Sequence, residues 1–382
     1  MLAISLPLRA QGGLEYVLQS IENNNLDLQS AGHSVTAMSM EARMGNTLEP
    51  LSVSYSHLWG SPEAAGKSGE LEISQEFDFP SLYAARKQLA GNLAAQYENG
   101  FSMIRQQVLL EAKELYLEQC ALTEIESVSK SRLQSNEHLA ALYASKLESG
   151  DATLVDKNRT EFEYLLLKDE ITAISLRIVE IRQRLQVLNG GIPLEYEVSE
   201  ILPELIPQFE KVLADYEECA PELLAAKLEE EGAGYDLRVS RRQSLPKFEV
   251  GYKYEFATGE RFNGVTAGLS IPIFSNRYNV KRAKAVEDMA RTQMQAAIVG
   301  NRNNLQELYT KAEVLGELAG RYDMLFDTID YPDMLARILN GGEMNIVDYY
   351  SELNTYFATY EAWLRVRLEY SLIASRINMI YL

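Results

Sequence analysis

The chain has 382 residues, enough for two or three ordinary domains or one large one, and its 46% apolar content excludes a disordered protein. With 36 basic against 55 acidic residues the net charge is −19, so no excess of cations faces phosphates and nucleic acid is not the expected partner. The two cysteines, Cys120 and Cys219, lie far apart in no CxxC motif, which argues against a disulfide framework or a thiolate zinc site.

Residues 1–11 resemble the end of a secretory signal peptide, a short apolar run followed by Ala10 and Gln11, without the usual basic leader. No run of 18 apolar residues occurs, so a transmembrane helix is not expected. From Leu14 to about Met44 the apolar spacing predicts a helix, ended by Gly45 and Asn46. Leu51, Val53, Tyr55 and Trp59 then alternate with Ser52, Ser54 and Ser56. A turn follows, and Leu71, Ile73, Phe77 and Phe79 alternate with Glu72, Ser74, Glu76 and Asp78. Period-two alternation around a Gly-containing turn predicts a β-hairpin over 48–80, with one apolar and one polar face.

From Leu82 to Leu147 the chain is periodic and proline-free. A helix of about 65 residues would be roughly 100 Å long, a length usual for coiled coils, membrane spans or repeats. Residues 149–153 interrupt it, and a return helix is expected from Leu154 to about Leu188. Asn189 to Pro193 ends that helix, and an irregular acidic linker with Pro203 and Pro207 is expected over 191–221.

The second half repeats the plan. A helix is expected from Glu222 to Arg241, then a hairpin over 246–274. In its first arm Phe248, Val250, Tyr252, Tyr254 and Phe256 alternate with polar residues. In its second arm Val265, Ala267, Leu269, Ile271 and Ile273 share a face. A helix from about Asn276 to Asn340 should be kinked by Pro332. A break over 340–345 leads to a return helix ending near Tyr381. The tips align, Gly150 with Gly342 and Asp156 with Asp348 (342 − 150 = 192). Two structural repeats, 12–190 and 222–382, are therefore expected.

Arms of about ten residues can cross a bilayer as tilted strands, but four strands cannot close a barrel, and open sheet edges do not survive in lipid. Three copies would supply about twelve strands, within the range of outer-membrane barrels. Tyr55 and Trp59 at one end, and Phe77, Phe79, Tyr83, Phe274 and Tyr278 at the other, suit interfacial girdles. The pairs Arg86–Lys87 and Lys281–Arg282 would snorkel just past the bilayer. The lipid-facing candidates are Phe248, Val250, Tyr252, Tyr254, Phe256, Leu269, Ile271 and Ile273.

The segments Leu245–Tyr252 and Gly268–Phe274, with the tips Ser-Gly-Asp-Ala-Thr-Leu-Val-Asp156 and Gly-Gly-Glu-Met-Asn-Ile-Val-Asp348, resemble the TolC family of outer-membrane efflux proteins. The resemblance covers nearly the whole chain. It implies an α plus transmembrane β fold: a long antiparallel coiled-coil α-barrel in the periplasm, continued by a shared 12-stranded β-barrel with four strands per protomer. It implies a homotrimer with no catalytic residue and no cofactor. As partners it implies a periplasmic adaptor (membrane fusion protein), an inner-membrane RND-type pump and outer-membrane lipid.

The resemblance also assigns roles. Gly150, Asp151, Ala152, Thr153 and Leu154 form one adaptor-docking tip, and Gly341, Gly342, Glu343, Met344 and Asn345 the other. Asp348 matches an aspartate lining the periplasmic constriction, where three carboxylates on a threefold axis would bind cations. The second acid often found three residues on is here Ser351, so a single ring is expected, or one in which Glu343 or Glu352 substitutes. Asp156 is the first-repeat counterpart. The structural alternatives are that the glycines supply positive-φ turns and that Asp348 is a helix N-terminal carboxylate. A soluble periplasmic coiled-coil scaffold and a type I secretion channel are the rival functions. Met38, Met40, Met44 and His33 suggest soft-metal handling only weakly, because Met also fills gaps between helices. No catalytic constellation is present to support a hydrolase.

Overall fold

The computed structural model describes residues 13–61, 66–198, 204–257, 259–272, 276–328 and 330–382. The signal-like residues 1–11, Pro203, and the hairpin residues Ile273 and Phe274 therefore lie outside the described residues. The elements in chain order are α1 (Gly13–Asn24), α2 (Leu26–Met44), β1 (Ser52–Trp59), β2 (Lys67–Phe77), α3 (Pro80–Ser149), α4 (Leu154–Leu188), α5 (Phe209–Cys219), α6 (Pro221–Arg242), β3 (Lys247–Ala257), β4 (Glu260–Ser270), α7 (Arg277–Thr328), α8 (Tyr331–Asn340) and α9 (Ile346–Ile377), with a 3-10 turn over Asn378–Tyr381. They fall into two compact units. One comprises the described residues of Met1–Gln29, Ile104–Tyr216 and Arg302–Leu382, and the other Ser30–Met103 and Glu217–Asn301.

The first unit is helical. Its core is aliphatic: Ile125, Ile181, Leu185, Leu305, Leu364 and Ile377 are at most 1–2% exposed. Arg177 and Arg184 on α4 reach Glu118 and Glu111 on α3 at 2.7 and 2.6 Å. Arg376 on α9 reaches Glu114 at 2.7 Å. Each buried Leu or Ile contributes about 1.5–3 kcal/mol, and an exposed ion pair rarely more than about 1 kcal/mol. Packing therefore holds the helices together, and the ion pairs choose their register. Asn136 on α3 and Asn354 on α9 exchange two amide hydrogen bonds, 3.1 and 3.0 Å.

Three stretches differ from the sequence expectation. The helix expected over 14–44 is two helices. At Asn25 the side chain accepts from the Leu28 N–H at 2.9 Å and donates to the Leu188 carbonyl at 2.8 Å, so an Asn–backbone bond competes with the helix. Pro332 does not kink a continuous helix but begins a new one. Asp330 caps α8 by accepting from the Asp333 N–H, and Pro332 sits in the first turn, where no N–H is needed. The stretch 191–221 contains α5, whose Val212 and Tyr216 are buried four residues apart.

The second unit carries one antiparallel sheet of order β1-β2-β3-β4. The expected hairpins are present, and β2 pairs with β3 from Ser68↔Ala257 to Phe77↔Phe248, joining them. The registers put Val53, Tyr55, His57 and Trp59, then Leu71, Ile73 and Phe77, then Phe248, Val250, Tyr252, Tyr254 and Phe256, then Val265, Ala267 and Leu269 on one face. Glu70, Glu72, Glu76, Lys247, Glu249, Lys253 and Glu255 occupy the other. Leu82, Ala85 and Val239 pack together below the sheet's β2 end.

Candidate functional site

Each tip is built by a glycine and a cap. At the first, Gly150 adopts φ +83°, and the N–H groups of Asp151 and Ala152 donate to the Lys146 carbonyl at 2.8 and 3.2 Å. The positive φ costs Gly little and satisfies the last carbonyls of α3. Thr153 then caps α4 in a reciprocal box: its Oγ1 accepts from the Asp156 N–H at 3.2 Å, and its own N–H donates to Asp156 Oδ2 at 2.9 Å. The Thr153 hydroxyl, donating to Asp156, and then its N–H hold the Asp156 carboxyl below the usual carboxylate range.

The second tip repeats this with different residues. Gly342 adopts φ +77°, while Gly341 stays helical at φ −73°, and the Glu343 N–H donates to the Ile338 carbonyl at 3.2 Å. Asn345 caps α9, its Oδ1 accepting from Val347 and Asp348 N–H at 2.9 and 3.0 Å. Its Nδ2 donates to the Asp348 carboxylate. Asp156 and Asp348 are thus third residues of equivalent helices, and the N-terminal carboxylate role is present at both. Met344 is half-buried, whereas Gly341, Gly342, Glu343 and Asn345 are exposed, as are Asp151, Thr153 and Leu154.

The constriction candidates separate. Asp156 and Ser351 line one cavity of about 760 Å³, together with Arg132, Asn136, Arg159 and Asn354. Asp348 is exposed and is not among its lining residues. Glu352, considered as a substitute acid, accepts from the Tyr331 hydroxyl at 2.9 Å.

Beside this cavity lies a charge the sequence reading missed. Glu361 on α9 is 4% exposed and accepts from Ser129 Oγ at 2.8 Å and from Arg132 at 3.4 Å. Burial pushes its carboxyl up, and the hydrogen bond from Ser129 and the charge of Arg132 offset this only in part. Glu361 sits in a helical stretch rich in polar residues, so spacing alone did not mark it as buried.

On the sheet, Phe248, Val250, Tyr252 and Leu269 are 40, 51, 44 and 60% exposed, and Ile271, just past β4, is 54% exposed. Tyr254 and Phe256 are half-buried. Phe256 covers Gly69, where a Cβ would lie 2.7 Å from its ring, and meets His57 at 5.9 Å. His57 is edge-on to Trp59 at 4.7 Å. His57 and Gly69 thus belong to this face, which the sequence reading credited only to the apolar residues. On the opposite face Lys253 pairs with Glu70 at 2.9 Å and Lys247 with Glu76 at 2.7 Å.

Three of the four basic side chains expected to snorkel, Arg86, Lys281 and Arg282, are engaged with protein. Arg86 reaches Asp78, whose side chain is 3% exposed, at 2.7 Å, Lys281 lies over the Tyr278 ring at 6.0 Å, and Arg282 meets Asp236 at 3.8 Å.

No protein-family model and no curated protein matches the chain in sequence. Solved structures do match it in fold. A membrane protein from Pseudomonas aeruginosa superposes with a TM-score of 0.79 at 16% identity, covering 96% of this chain and 89% of that one. The VceC outer-membrane protein of Vibrio cholerae gives 0.76 at 14% identity, with 96% and 95% covered. The CmeC outer-membrane channel of Campylobacter jejuni gives 0.74 at 15% identity, with 99% and 90% covered. The protomer fold implied by the tip and hairpin motifs, long helices with a four-stranded antiparallel sheet, is the fold observed, and it is the fold of these outer-membrane channel structures.

Proposed function

We propose that the chain is an outer-membrane channel that acts as a homotrimer. It would be the passive exit duct of a tripartite efflux system, taking small molecules or metal ions from a periplasmic adaptor and an RND-type inner-membrane pump. The observation that carries this reading is the four-stranded sheet. One face is apolar and exposed, the other is acidic and ion-paired, and among the described residues β1 and β4 each have one neighbour only. Lipid does not tolerate such edges, and an exposed apolar face of this kind marks an interaction surface. Three copies joined β4 to β1 would close twelve strands with the carboxylates inward.

On this reading the protein resides in the outer membrane with its helices in the periplasm. The tips, capped and exposed, present rigid turns to the adaptor, and Asp348 from three copies would ring the entrance and favour cations. Fractionation with native mass measurement in detergent tests the assembly: an outer-membrane trimer is expected, and a soluble monomer refutes it. Asp348→Asn should change conductance or multivalent-cation block in planar bilayers. Unchanged conductance and block would remove Asp348 from the gate.

A further inference from the structure

In the helical unit a groove of about 500 Å³ lies between α7 and α9, a size suited to small-molecule sites. Trp363 and Tyr370 come from α9, and Asp323 and Asp327 from α7. The indole is fixed: its Nε1 donates to Asp323 at 2.9 Å, and Tyr360 and Phe326 hold the ring at 4.9 and 5.2 Å. One cation already uses it, because the Arg367 guanidinium lies 4.8 Å over the ring centroid.

Two observations show that helix packing does not require this arrangement. With the tips aligned 192 residues apart, Trp363, Arg367 and Tyr370 correspond to Ile171, Ser175 and Ile178 of the first repeat (363 − 171 = 192). The counterparts of the two aromatic residues are therefore aliphatic, and the counterpart of Arg367 is a serine that donates to Glu126 on α3, so the first repeat builds the same helix without a ring and guanidinium at these positions. Gly320 on α7 also lines the groove, and a Cβ there would meet nothing within 4 Å. A mid-helix glycine costs about 1 kcal/mol relative to Ala, and here no close contact demands it. What Gly320 leaves is open space on the α7 side of the groove.

We propose that this groove binds an organic cation bearing an apolar or aromatic group, such as a quaternary ammonium. The cationic head would displace Arg367 from the Trp363 face, where an ammonium is attracted by the ring quadrupole. Asp323 and Asp327 would supply the balancing charge, and the apolar group would fill the space left at Gly320. The inference does not depend on the channel reading. Binding is measured on the isolated chain, so a non-conducting protein can bind and a conducting one can fail to.

The chain has two tryptophans, so Trp59→Phe leaves Trp363 as sole reporter. The full chain in detergent is titrated with benzyltrimethylammonium chloride, followed by tryptophan fluorescence. A saturable change is expected. Gly320→Leu, which fills the groove from a position with open space, should raise the half-saturation point about tenfold, as should Asp327→Asn and exchange of the probe for uncharged neopentylbenzene. Non-saturable quenching that is equal in all variants would overturn the proposal. So would neopentylbenzene binding as tightly as the cation.

Discussion

Asn345→Ala isolates what the second tip owes to its cap. The Asn345 side chain accepts from two backbone N–H groups, Val347 at 2.9 Å and Asp348 at 3.0 Å, whereas Thr153 at the first tip accepts from one, Asp156 at 3.2 Å. Loss of an N-cap costs about 1 kcal/mol and up to about 2. Because both Asn345 acceptor bonds vanish together, the upper part of that range applies to the first turn of α9. One to two kcal/mol changes an opening equilibrium roughly five- to thirtyfold. Amide hydrogen exchange should therefore speed up by about that factor at Val347 and Asp348, with the middle of α9 unchanged. Thr153→Ala should accelerate Asp156 alone, and Asn345→Ser, which keeps a capping oxygen, should restore most of the protection. Equal exchange in wild type and Asn345→Ala would refute the reasoning. Acceleration spread evenly along α9 would show global loosening instead.

Glu361 predicts a pH signature. Its folded carboxyl lies above the ordinary value of 4.5, so its contribution to stability is present below that value and is lost as pH rises through the folded one. Glu361→Gln keeps an acceptor for Ser129, and its melting-temperature advantage over wild type should grow as pH rises from 4 to 7; a constant or shrinking difference counts against it. In the sheet, a Cβ on Gly69 would lie 2.7 Å from Phe256 and 2.8 Å from the Ser56 carbonyl, while one on Gly264 meets nothing within 4 Å. Gly69→Ala should thus cost about 1–3 kcal/mol in denaturant unfolding and Gly264→Ala far less, and equal costs would contradict the packing described. Arg86→Ala leaves the buried Asp78 carboxylate with Lys247 at 3.7 Å as its remaining cation. It should cost about 3 kcal/mol, and adding Asp78→Asn should recover much of that. No recovery in the double variant would mean that Arg86 acts through packing rather than charge.

The fold was legible where the chain repeats one physical pattern many times. Alternation in Phe248–Phe256 and Leu71–Phe77 needed only counting, and both arms emerged as strands. The long helices showed themselves by what they lack, breakers, and α4 begins at Leu154, where the tip motif placed it. Single-residue decisions were not legible. Asn25 divides a helix whose apolar pattern runs through it, because its amide has a partner in the Leu188 carbonyl far away in sequence. Pro332 looked like a kink because nothing local revealed that Asp330 would cap a new helix. At the site, the turns and caps could be read from Gly, Thr, Asn and Asp at fixed offsets. The buried Glu361 and the Asn136–Asn354 exchange could not, since each polar group is satisfied by a helix more than two hundred residues away.

The ladder between β2 and β3 has a consequence for the order of assembly. The neighbour of Phe77 is Phe248, and α3, α4, α5 and α6 all lie between them in the chain. Closing so long a loop carries an entropic penalty that short-range helix formation does not. The first hairpin therefore waits as a two-stranded ribbon, marginal by itself, until the second repeat has been made. The broad apolar surface comes into being only when both halves of the chain exist. A truncated product would carry a hairpin but not the four-stranded sheet, so the topology withholds the broad apolar face from incomplete chains.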